Sequence, residues 1–213
     1  MARTRRTPKE QINRPYAVKA ELQNNGTFYG YDRQKKEQIL EIPKQAFFYI
    51  DHTYSRYLLK IQRKKRITDL ITTEYNRTSQ TVTAVDRLND TREKCTPAEV
   101  ADLWGDSNTG IVIYAIGAED NRLYRFEGAS SVLGRFKDFE KECKDLPDFT
   151  LSTHENETGE GPKNFWLFTF ADIEPTPEQT LNLDNQTAAL AEYYREKGLY
   201  FDHLTPANQD EEE

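Results

Sequence analysis

Two hydrophobic periods run through this chain, and the clearest change from one to the other falls between residues 109 and 146. Residues 111–116 (Ile-Val-Ile-Tyr-Ala-Ile) form an unbroken apolar run rich in β-branched side chains, and residues 122–127 alternate polar with apolar. The intervening 118–121 is polar and turn-prone, so the pattern predicts a β-hairpin with one strand more deeply buried than the other. After Gly128 the period lengthens. Leu133, Phe136, Phe139, Cys143 and Leu146 recur at three- and four-residue steps, which predicts one buried face of a helix. A hairpin feeding such a helix is a packed core unit.

The flanking segments are mostly strand-like. Residues 16–22 and 27–31 surround Asn24-Asn25-Gly26, the strongest short hairpin signal available. Further strands are expected over 38–42, over the long aromatic run 47–57, and over 68–76, 81–85, 149–153 and 165–171. In the last of these, Trp166, Phe168 and Phe170 share one face, and with Phe47 and Tyr49 they are expected in the core. Thr96-Pro97-Ala98-Glu99 and Thr176-Pro177-Glu178-Gln179 read as capping boxes with proline at the first helical position. They predict a short helix ending at Gly105 and a longer one within 177–197, with a break near 182–185 and Gly198 at its end.

Many short strands with helices set between the later ones suggest a mainly β fold. An OB-fold-like β-barrel elaborated by extra hairpins is the first expectation, and a β-sandwich with inserted helices the second. The organisation read from the chain is a flexible basic arm over 1–15 and an OB-fold-like nucleic-acid-binding domain over 16–175. A helical segment over 176–198 and an acidic tail over 199–213 complete it.

Charge changes this picture more than composition does. The net charge is −7, yet the first 66 residues hold 16 Lys/Arg against 6 Asp/Glu, a net of +10. The remainder carries a net of −17. Such asymmetry points to a basic binding surface joined to an acidic tail. No apolar run approaches a membrane span and no apolar segment follows the N-terminal arginines, so a soluble, intracellular protein is expected. Cys95 and Cys143 are then expected as reduced thiols.

No catalytic pattern stands out. His52, His154 and His203 lie far apart, without metal-ligand spacing to one another or to a cysteine, and no phosphate-cradling glycine loop or nucleophile elbow occurs. Asp51, Asp69, Asp86 and Glu127 are the acids from which a metal-dependent nuclease would have to be built. The expectation is a protein that is not an enzyme and needs no cofactor. Single-stranded nucleic acid offers phosphate charge and base faces, met by Lys/Arg along a groove and by aromatic rings on which bases stack. Tyr54, Arg56, Tyr57, Lys60, Arg63, Lys64, Lys65 and Arg66 supply both kinds of group in one segment. Tyr75 and Arg77 extend it, and Arg122, Tyr124 and Arg125 repeat the pairing. Tyr54 and Tyr57 lie three apart and cannot share one side of a regular strand. In the tail, Tyr200, Phe201, Asp210, Glu211, Glu212 and Glu213 combine apolar grip with negative charge, suited to competing with DNA and recruiting partners.

The order of elements resembles the single-stranded DNA-binding proteins of tailed bacteriophages, a divergent OB-fold family with an acidic C-terminal tail. The matching stretches are Arg-Thr-Pro-Lys-Glu-Gln-Ile at 6–12, Val-Ile-Tyr-Ala-Ile at 112–116 and Leu-Tyr-Arg-Phe-Glu-Gly-Ala-Ser at 123–130. Phe-Trp-Leu-Phe-Thr-Phe-Ala-Asp-Ile-Glu-Pro at 165–175 and the acidic end match as well. The resemblance covers residues 3–175 in layout and departs from the family's pattern over 67–104. It implies sequence-tolerant coating of single-stranded DNA in phage replication and recombination, in the cytoplasm of the infected host, without catalysis or cofactor. Replication and recombination proteins would be partners of the tail. A virion-associated interaction protein is the alternative, and the nuclease a further one.

Overall fold

The computed structural model describes residues 17–22, 28–32, 35–39, 41–62, 65–76, 79–105, 107–143, 147–155, 164–197 and 199. The strands are β1 (Val18–Leu22), β2 (Phe28–Asp32), β3 (Glu37–Ile39), β4 (Ala46–Gln62), β5 (Lys65–Thr72), β6 (Val82–Asp86), β7 (Thr91–Cys95), β8 (Asn108–Gly117), β9 (Leu123–Gly128), β10 (Phe149–Glu155) and β11 (Asn164–Phe170). The helices are α1 (Pro97–Leu103), α2 (Ser130–Glu142) and α3 (Pro177–Lys197). The architecture is mainly β: an open, mixed, 11-stranded sheet ordered β3-β2-β1-β9-β8-β4-β5-β6-β7, with β10 joined to β4 and β11 to β10. β1 runs parallel to β9, and the other strand pairs among the described residues are antiparallel.

β4 is the axis of the sheet. One edge pairs with β8 from Phe47 opposite Gly117 to Tyr57 opposite Asn108. Its other edge takes β10 at Phe47 and β5 from Tyr57 onward. A register shift between Tyr49 and Asp51 resets the two-residue alternation, as a bulge does. Phe47, Tyr49 and Tyr54 therefore serve one core, and Phe48 and Ile50 the other.

The unbroken run of β8 has the same explanation. Ile111, Ile113 and Ala115 face the first core, while Val112, Tyr114 and Ile116 face the second. A strand covered on both faces needs no polar alternation. The first core is closed by α2 and the β10–β11 hairpin, through Val132, Leu133, Phe136, Phe139, Phe149, Trp166 and Phe168. Each fully buried side chain of that size stabilises the fold by about 1.5–3 kcal/mol relative to exposure. The second core is closed by α3, through Leu190 and Tyr194, with Leu199 just beyond it.

Both capping boxes form. Thr96 accepts from the Glu99 N–H while the Glu99 carboxylate accepts from the Thr96 N–H, and Thr176 and Gln179 repeat the arrangement. Four expectations are corrected. β7 was not foreseen, because Thr91, Arg92, Glu93 and Lys94 are all exposed and carry no apolar alternation. β4 runs past residue 57 to Gln62. α3 is continuous, since the Asn182 amide bonds to the Asn121 carbonyl oxygen at 2.9 Å instead of competing for its own helix backbone. Phe170 is 53% exposed, so it leaves the core to Trp166 and Phe168. Leu146, His154's side chain, the basic arm and the tail beyond Leu199 lie outside the described residues. Among the described residues, no helix is long and apolar enough to cross a membrane.

Candidate nucleic-acid interface

Tyr54 and Tyr57 line different concavities, as their spacing along β4 requires. On the side of the first core, Tyr54 and Tyr75 wall a pocket of about 530 Å³. Their backbones exchange hydrogen bonds of 2.7 and 2.8 Å, and their ring centroids lie 6.1 Å apart at 46°. The pocket continues over Asn76, Ser79 and Gln80, reaches Thr96, Pro97 and Ala98 at the start of α1, and has Leu133 of α2 in its floor. One helical turn beyond Leu133, Lys137 sets its ammonium 5.7 Å from the centroid of the Tyr54 ring. Among the described residues, no carboxylate lines this pocket.

The Tyr54 wall is held from behind. The Tyr49 hydroxyl lies 2.7 Å from His52 Nδ1, and the Tyr54 hydroxyl lies 2.8 Å from His52 Nε2. A neutral imidazole has one N–H and one lone pair, so one tyrosine donates to the ring and the other accepts from it. His52 itself is buried and packs edge-on against Phe136. Tyr75 is half-buried. Burial raises its pKa, while the neighbouring Arg56 guanidinium and a Thr109 hydrogen bond pull the other way, so its hydroxyl is neutral across the ordinary pH range. Arg56 anchors its own Nε on Ser107 Oγ at 2.8 Å.

The opposite side of β4 opens on a cavity of about 780 Å³ lined by Tyr57, Lys94, Arg125 and three acids, Glu74, Glu127 and Glu196. Glu74 organises it. Its carboxylate accepts from Thr53 Oγ1 at 2.9 Å, from the Tyr114 hydroxyl at 2.8 Å and from Arg125 Nη2. Arg125 is also paired with Glu127, which in turn holds Lys19 at 3.2 Å. The guanidinium expected to meet phosphate is thus neutralised by two carboxylates in a nearly buried position.

Three sequence-derived site residues change role. Tyr124 is fully buried among Phe47 and Phe126, with its hydroxyl on Asp120, and offers no free face for a base. Arg125 is a structural ion-pair partner. Lys60, more than half exposed, is paired with the buried Asp69, whose carboxylate holds the ammonium above its ordinary pKa range. Arg122 is half-buried just before β9, its N–H on Asp120 Oδ1 at 3.2 Å. Arg66 pairs by its backbone with Ile61 near the end of the β4–β5 hairpin. Arg63, Lys64, Arg77, Tyr200, Phe201 and Asp210 through Glu213 lie outside the described residues. Of the four acids considered for a nuclease, Asp69 and Asp86 flank Lys60, whereas Asp51 and Glu127 lie elsewhere. Among the described residues, no three His, Cys, Asp or Glu side chains gather to hold a metal ion.

Tyr54, Arg56 and Tyr75 are therefore the foreseen residues that the fold brings together. Lys137, Asn76 and Thr109 were missed. Lys137 follows the core residue Leu133 by four positions, a spacing that places it on the same helix side, and this was the one available signal. No family model matches the chain, and no curated protein or solved structure matches it.

Proposed function

We propose that this protein binds single-stranded DNA without strong sequence preference, as a non-catalytic component of phage DNA replication and recombination. The observation that carries the reading is the Tyr54–Tyr75 pocket: two aromatic rings, a lysine ammonium over one of them, an arginine beside the other, and no acid among the described residues of the wall. Base stacking on such rings contributes about 1–3 kcal/mol per base and tolerates every base, because each has a π-face. The same strand runs on from Tyr54 for eight residues, about 26 Å at strand rise, to Gln62, and the sequence that follows, 63–66, is wholly basic. A strand lying along β4 would exchange phosphate contacts there for stacking contacts at the pocket.

An OB-fold-like barrel is the fold we propose behind this architecture. β4 is long, bulged and shared between two sets of partners. Phe28 on β2 meets Trp166 on β11 edge-on at 5.1 Å, which brings two distant parts of the strand path together over the first core. The acidic residues after Leu199 are proposed to compete with DNA for the basic surface and to recruit replication partners when displaced, acting inside the infected cell. Fluorescence anisotropy with oligo-dT and with duplex, each at two salt concentrations, tests the reading. Preference for the single strand is expected, with a log–log salt slope of about −0.7 per phosphate contacted. Equal affinity for duplex, or a flat salt response, would count against it.

A further inference from the structure

We infer that the Tyr54–Tyr75 pocket takes one whole nucleoside monophosphate unit, its base against Tyr75 and its phosphate on Lys137. This deepens the proposed single-strand reading and rests on it for the source of the nucleotide, though not for the chemistry. The pocket's 530 Å³ falls in the size range of small-molecule sites rather than of strand-long grooves. Its walls supply, around one open concavity, the groups a nucleotide calls for. Tyr75 is only partly buried and lines the pocket beside Tyr54. Lys137 is exposed on α2, and among the described residues of the wall no carboxylate competes for its ammonium. Hydroxyl and amide groups of Thr109, Thr96 and Gln80 stand around the remaining perimeter, where the donors and acceptors of a base edge would fall.

The site is also pre-organised. Tyr54 is fixed by its hydrogen bond to His52, by paired backbone bonds to Tyr75 and by the ring contact between the two tyrosines. Little rotamer freedom remains to be lost on binding, which favours a small ligand that has few contacts of its own to spend. The cavity across β4 differs in its wall: Glu74, Glu127 and Glu196 line it beside Lys94, and two of these carboxylates hold Arg125. A nucleotide held in the first pocket is lifted away from its neighbours in a strand. Free nucleotides and a base within oligo-dT would therefore share the site.

The experiment titrates the full chain with dTMP, with thymidine and with oligo-dT carrying a single photoreactive 5-iodouracil, and maps the cross-link by mass spectrometry. Expected are saturable dTMP binding and a cross-link to Tyr75. Tyr75→Leu should weaken dTMP and thymidine about tenfold or more, while Tyr75→Phe retains both. Lys137→Ala should weaken dTMP several-fold and leave thymidine unchanged. It lies on an exposed helix position, so it keeps the test open if the Tyr75 variant fails to fold. Tight oligo-dT binding with no dTMP binding and cross-links elsewhere would overturn the pocket inference and leave the strand reading standing. Binding of dTMP that is sensitive to Lys137→Ala, without oligo-dT binding, would do the reverse. Failure of both ligands would remove both.

Discussion

The two concavities flanking β4 are built from the same kinds of residue and differ in one respect, the placement of acids. Each has a tyrosine from β4 and basic side chains, Lys137 on the α2 side and Lys94 with Arg125 on the α3 side. On the α2 side, the lysine faces a ring and no carboxylate lines the wall among the described residues. On the α3 side, Glu74 and Glu127 hold Arg125, and Glu74 further ties Tyr114 and Thr53 into one hydrogen-bonded group. Basic and aromatic residues side by side thus mark either a ligand surface or a structural polar cluster. The decision rests on whether a carboxylate reaches the cation first.

Several substitutions break or sharpen this contrast. Phe136→Ala is the harshest, because Phe136 is fully buried beneath Tyr49 and His52 and also contacts Phe168. A loss of about 3–5 kcal/mol is expected in urea unfolding. Glu74→Gln should cost about 1–3 kcal/mol by leaving buried donors poorly matched, since Arg125 retains Glu127. Oligo-dT affinity should hold or rise in that variant, and a fall would mean that the α3 side carries the ligand.

Asp148 adds a pH test on the pocket-side core. Burial raises its carboxyl to about 6, against the stabilising hydrogen bond it accepts from the Tyr49 N–H at 2.7 Å. The folded state therefore keeps a proton that the unfolded chain has lost between pH 4 and 6, and stability should decline as pH rises through that window. Asp148→Asn keeps the acceptor oxygen and removes the charge. It should flatten this slope and stabilise the protein at pH 7 by no more than about 1 kcal/mol, given partial solvent screening. Lys137→Ala is the mildest for folding, within about 0.5 kcal/mol. It should reduce the salt slope of oligo-dT binding by about 0.7, the loss of one phosphate contact.

Much of this molecule could be read before it was seen, and the reasons for the misses are physical. The β8–β9 hairpin, α2 and both capping boxes follow from local periodicity and side-chain chemistry that act over a few residues. β7 was invisible because an exposed edge strand needs no apolar alternation. The proximity of Tyr54, Arg56 and Tyr75 was legible because they lie on one strand and at its bridge partner, close in sequence. Lys137 was passed over as part of a core helix, since only the packing of α2 against β4 carries it to Tyr54. The fates of Arg125 and Tyr124 depended on Glu74 and Asp120. Glu74 sits 51 positions from Arg125 and Asp120 only four from Tyr124, yet neither partnership leaves a mark in the local pattern.

The claim at the centre is that bases stack on the α2 side of β4 and not on the α3 side. A paired anisotropy titration of Tyr75→Leu and Tyr57→Leu with oligo-dT, both checked for native folding, addresses it directly. The account predicts a loss of about fivefold to a hundredfold for Tyr75→Leu and little change for Tyr57→Leu. The opposite ranking would contradict it.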